Sequence, residues 1–93
     1  MPFLYELKVT GDERTYTFVQ QLVPVGTMVG TGQPVATLTD GAMEFHVPAP
    51  RQGLLVAWFV EHGALIEPGD PIARIVCEGE SVKIADAIPT RLG

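Results

Sequence analysis

The sequence predicts a single small all-β domain made of two similar halves, and three observations point there. Eight prolines and ten glycines are spread through 93 residues, leaving only short segments between them. Such punctuation suits many strands joined by tight turns rather than long helices. Within most segments apolar and polar residues alternate, the period-two pattern of a half-buried strand. Finally, residues 22–41, LVPVGTMVGTGQPVATLTDG, recur as residues 59–78, FVEHGALIEPGDPIARIVCE.

The recurrence has no gap. At an offset of 37, Gly26 meets Gly63, Gly32 meets Gly69, Pro34 meets Pro71 and Ala36 meets Ala73. Apolar positions agree as well, Met28 with Leu65, Val29 with Ile66, Val35 with Ile72 and Leu38 with Ile75. Two copies are too few for a solenoid, where each unit needs stacked neighbours. They fit two halves about a pseudo-twofold axis, each giving Val35 or Ile72, and Leu38 or Ile75, to one shared core. In each half an apolar strand ends at a Gly turn, a short apolar piece follows, and an x-x-Gly-x-Pro turn leads into another strand. Glycine suits turn positions with positive φ, and proline fixes φ where no donor is needed.

In chain order, the alternation predicts strands over Phe3–Val9 and Thr15–Val23, a short one at Met28–Val29, and one over Pro34–Leu38. Thr39-Asp40-Gly41-Ala42 then makes a hairpin turn. Strands follow over Met43–Val47 and Leu54–Val60, with Trp58 in or beside the core, then Leu65–Ile66 and Pro71–Val76. The repeat places the counterpart of the hairpin turn at Cys77-Glu78-Gly79, followed by a last strand over Ser81–Ala85. The domain spans residues 1–87, and residues 88–93 read as a flexible C-terminal tail or linker stump.

Composition narrows the function. The net charge is −5, and Lys8, Arg14, Arg51, Arg74, Lys83 and Arg91 stand singly, so no basic patch is available for nucleic acid. No apolar run approaches the roughly 20 residues that cross a bilayer, and the N-terminus does not read as a signal peptide. Cys77 is the only cysteine, which rules out an internal disulfide and any C-x-x-C motif. A cytoplasmic protein is expected.

The half-repeats carry Gly26, Gly32, Val35, Ala36 and Leu38, then Val47-Pro48-Ala49-Pro50-Arg51-Gln52-Gly53, then Gly63 and Gly69. In this combination the chain resembles the biotinyl/lipoyl attachment domain over roughly residues 3–86. The resemblance implies a flattened barrel, or sandwich, of two four-stranded antiparallel sheets (a barrel-sandwich hybrid). It also implies a lysine at an exposed hairpin tip that carries lipoate or biotin.

Two counts locate that position. In the lipoyl type the acceptor lies ten residues after the turn glycine and five before the valine of Val-Pro-x-Pro. From Gly32 and from Val47 alike, the count reaches Ala42. The lipoyl pattern Asp-Lys-Ala becomes Gly41-Ala42-Met43, and the biotin pattern Ala-Met-Lys-Met becomes Asp40-Gly41-Ala42-Met43. A register slipped by one puts Gly41 there. Cofactor attachment needs a lysine amine, and neither residue has a nucleophile. The acceptor position is therefore vacant, at Ala42 in a tip formed with Asp40, Gly41 and Met43, and no cofactor is expected. Lys8 and Lys83 lie in strands, away from the tip.

Other candidates read as surface. By alternation His46 points to solvent, and His62 lies in a turn; neither has an orienting partner visible in the sequence. Asp40, Glu44, Glu61 and Glu78 sit at turns and strand ends, where acids keep a surface wet. No nucleophile stands with a base, and no phosphate loop or dinucleotide fingerprint occurs, so no enzyme is expected.

The expected function is a lipoyl/biotinyl-like domain working unmodified, as an interaction or assembly module with protein partners in a multienzyme or related complex. The alternative is a swinging-arm carrier domain of a 2-oxo-acid dehydrogenase or biotin-dependent carboxylase whose lysine was replaced. Gly41 favours natural divergence, since a single replacement would leave Asp or Met before the acceptor. A membrane-fusion adaptor would carry a long helical hairpin where only residues 48–53 lie. A phosphocarrier would need a placed histidine.

Overall fold

The alternating segments condense into nine strands in a computed structural model that describes residues 2–9, 15–79, 84 and 86–92. They are β1 (Phe3–Lys8), β2 (Tyr16–Gln21), β3 (Met28–Val29), β4 (Pro34–Thr39), β5 (Glu44–Pro48), β6 (Gly53–Trp58), β7 (Leu65–Ile66), β8 (Pro71–Cys77) and β9 (Thr90–Arg91). Two antiparallel sheets result, one in the order β1-β8-β6-β3 and one in the order β7-β2-β4-β5-β9. They face each other across one core and do not close into a barrel. Among the described residues there is no helix, hence none long and apolar enough to cross a membrane.

The repeat is visible bond by bond. β2 pairs with β4 through Thr17–Thr39, Phe18–Leu38, Gln20–Thr37 and Gln21–Ala36. β6 pairs with β8 through Leu54–Val76, Leu55–Ile75, Ala57–Arg74 and Trp58–Ala73, each residue 37 further on and with the register shift at the same place. Gly26 donates its amide to the Leu55 carbonyl, and Gly63 donates to that of Phe18, both at 2.8 Å. Even side chains obey the pseudo-twofold. Trp58 Nε1 donates to the Val23 carbonyl at 3.0 Å, and Gln21 Nε2 donates to the Val60 carbonyl at 3.2 Å. Gly26, Gly32, Gly63 and Gly69, the paired turn glycines, all have φ between +83° and +97°, a region costly for residues with a Cβ. Val35, Leu38, Ile72 and Ile75 are all fully buried, as the paired halves require.

One expectation is corrected. The tail expected over residues 88–93 contains β9, where Arg91 and Thr90 pair with Phe45 and His46. The Leu92 amide donates to the Glu44 carbonyl at 3.0 Å, so this sheet has five strands rather than four. An open edge on β5 presents unpaired backbone groups, and a short extended segment satisfies them without any apolar pattern of its own. The counterpart of β5 in the second half is β1. Most of the strand expected over Ser81–Ala85, including Lys83, lies outside the described residues, and β1 occupies the place beside β8. Tyr5 opposes Ile75 and Leu7 opposes Ala73, as Phe45 opposes Leu38 and Val47 opposes Ala36. The first strand thus completes the second half.

Candidate functional site

The β4–β5 hairpin brings Asp40, Gly41, Ala42 and Met43 together as one exposed turn closed by the Thr39–Glu44 pair. Asp40 Oδ1 accepts the amides of Ala42 at 2.9 Å and Met43 at 2.8 Å. The Asp40 amide donates to the Met43 carbonyl at 3.2 Å. Thr39 Oγ1 donates to that carbonyl at 2.8 Å and accepts the Gly41 amide at 3.1 Å. All four amides of residues 40–43 are thereby bonded within the turn, which sets a fixed tip rather than a loose loop. Short polar side chains just before a glycine build such turns. Gly41 has φ +100°, which a bulkier residue would adopt only under strain, whereas Ala42 has an ordinary negative φ. Sequence reasoning placed the four tip residues but missed Thr39 as their organiser; the Thr-Asp-Gly order was the available signal.

Chemically the tip offers a methyl, a thioether and one carboxylate, and residues 40–43 contain no amine. Lys8 is half-buried at the end of β1. Cys77 is fully buried, and burial pushes its thiol up from the ordinary range despite the opposing pull of the Arg51 guanidinium. A buried, protonated thiol is a poor nucleophile. Burial likewise raises the Tyr5 phenol to about 12, with Asp86 and Cys77 adding to the effect. Neither group is poised for proton transfer near neutrality.

His46 is half-buried on β5, opposite Thr37 and Thr90. His62 is exposed but has a partner that the sequence does not reveal, since its Nδ1 lies 2.7 Å from the Val19 carbonyl. A carbonyl only accepts, so Nδ1 is the donor in this bond. The structure gathers neither histidine into the tip. Among the described residues, no three His, Cys, Asp or Glu side chains come together in a group able to hold a metal.

One comparison with known proteins agrees with this architecture. The sequence profile of the family described as "Biotin-requiring enzyme", which covers biotinyl and lipoyl domains, matches residues 9–75. No curated protein sequence matches the chain. With the paired half-repeats, the two antiparallel sheets and the exposed β4–β5 hairpin, this match places the chain in the biotinyl/lipoyl attachment domain family.

Proposed function

We propose that this domain works without a covalent cofactor, as an interaction or assembly module of a multienzyme or related complex in the cytoplasm. One observation carries the reading: the β4–β5 tip presents Asp40-Gly41-Ala42-Met43, with Ala42 at the counted acceptor position. Carrier domains of this family supply an attachment point and leave catalysis to their partner enzymes. Here the scaffold is retained and the attachment point is an alanine, so what remains is a shape for partners to bind. The domain has no catalytic site of its own.

Protein produced with active lipoate and biotin ligases is expected to show its unmodified mass by intact mass spectrometry. An added mass equal to either cofactor would overturn the reading, whichever lysine had taken it.

A second expectation tests how much of the attachment site survives. Ala42 is exposed and has negative φ, so Ala42→Lys should cost under about 0.5 kcal/mol in a urea titration. Lipoylation of that variant without biotinylation would assign a lipoyl ancestry; the reverse outcome would assign a biotinyl one. A loss of several kcal/mol would show that the tip does not tolerate a lysine at all.

A further inference from the structure

The two sheets have matching strand orders, so each half serves as a control for the other. On the outer face of the four-stranded sheet, one row runs across all four strands. Leu4 opposes Val76, Val76 opposes Leu54, and Leu54 opposes Met28. Leu4 and Met28 are 62% and 61% exposed, and Leu54 and Val76 are half-buried between them. The same row on the other sheet is Glu44, Thr39, Thr17 and Leu65. Three of the four positions are polar there, at the same backbone sites in the same registers. The fold therefore makes no demand for apolar residues in this row, and the unbroken stripe on one sheet alone needs another cause.

The charges beside the stripe point to what covers it. Arg74 on β8 and Glu78, one residue past its end, flank Val76 two residues to either side, and Glu78 lines one surface pocket with Met28, Leu54, Val76 and Arg51. Arg74 also reaches Glu6 of its own chain at 3.3 Å and lies over the Phe59 ring, 5.2 Å from its centroid, and its side chain stays 39% exposed beside these contacts. A twofold axis lying along the stripe sets each Arg74 opposite the Glu78 of a second copy and each apolar residue opposite its own equivalent. That is the self-complementarity an isologous contact requires. Opposite charges placed in this way fix the register of an apolar contact more than they strengthen it.

We propose that the outer face of the β1-β8-β6-β3 sheet is the surface through which two copies of this chain associate, stripe on stripe. This gives the assembly module proposed above a surface and a partner. It rests on that reading only for its biological setting, because mass reads the tip and sedimentation reads the stripe. Four strands about 4.8 Å apart give a face well short of the roughly 800 Å² per partner of a tight interface. The expected dissociation constant is therefore weak, from about 10 µM to about 1 mM.

Sedimentation equilibrium up to about 2 mM protein is the test, with the protein otherwise as produced. A concentration-dependent dimer is expected, with amide shifts between dilute and concentrated protein confined to β1, β3, β6 and β8. Met28→Glu and Leu4→Glu, both at exposed sites, should each weaken the dimer at least tenfold. Leu65→Glu serves as the control: it is the counterpart of Met28 in the other half, 65% exposed, and should leave the dimer unchanged. Circular dichroism of each variant confirms the fold. A monomer at all concentrations, a dimer indifferent to Met28→Glu, or equal loss with Leu65→Glu would overturn the proposal.

Discussion

Ile72→Ala is expected to lower the unfolding free energy by about 2–4 kcal/mol, and Leu38→Ala by a similar amount. Both side chains are fully buried, at positions where the two sheets share one core. Each truncation removes buried carbon from close packing and leaves a cavity that neighbouring strands, fixed by ladders on both sides, cannot collapse to fill. β8 lies between β1 and β6, and β4 lies between β2 and β5. A domain of this size has about 5–15 kcal/mol in total, so either change is a large fraction of it. Ala42→Ser on the exposed tip should cost under about 0.5 kcal/mol. Urea titrations of the three variants decide the matter. If Ile72→Ala shifted the midpoint no more than Ala42→Ser at an unchanged slope, the paired-half account of the core would be wrong.

What the sequence revealed and what it hid follow from the range of the interactions involved. The β2–β4 and β6–β8 ladders could be read because alternation and the gapless repeat act locally and twice over. The tip could be counted because the spacing between Gly32, Ala42 and Val47 needs no knowledge of contacts in three dimensions. β1 stayed hidden as the counterpart of β5, because its equivalence to β5 runs at an offset of 40 in the opposite sense, Tyr5 standing for Phe45 and Leu7 for Val47. No repeat search at 37 finds it. β9 is two exposed residues, Thr90 and Arg91, held in place by the edge they cover rather than by any pattern of their own. The bond from His62 to Val19 spans 43 residues and the bond from Arg51 to the Glu78 carbonyl spans 27. Each is set by the fold as a whole, and neither leaves a mark in local sequence.

Gly53→Ala is expected to cost about 3 kcal/mol or more, although it adds only one methyl group. Gly53 closes the Val-Pro-Ala-Pro-Arg-Gln-Gly stretch, where the sequence marks a glycine without showing why. Its φ is not positive, so a turn is not the reason. The reason is proximity: a Cβ there would lie 2.5 Å from Ile75 Cγ2, 2.5 Å from the Val76 carbonyl oxygen and 3.2 Å from Cys77 Sγ. The carbonyl belongs to β8, which is held by strands on both sides and cannot retreat without breaking a ladder. The other half resolves the same position differently. Its counterpart, Tyr16, is buried and meets the Phe45 ring edge-on, with centroids 5.4 Å apart. One half thus fills with an aromatic ring the place that the other closes by backbone approach. Gly30→Ala is the matched control, since its Cβ would meet only Gln33 Oε1 at 3.9 Å and its φ is ordinary. It should lie within about 0.5 kcal/mol of the parent, or stabilise slightly by restricting the unfolded chain. Urea midpoints measured side by side make the comparison, and a Gly53→Ala variant as stable as Gly30→Ala would mean that β6 and β8 do not approach as closely as described.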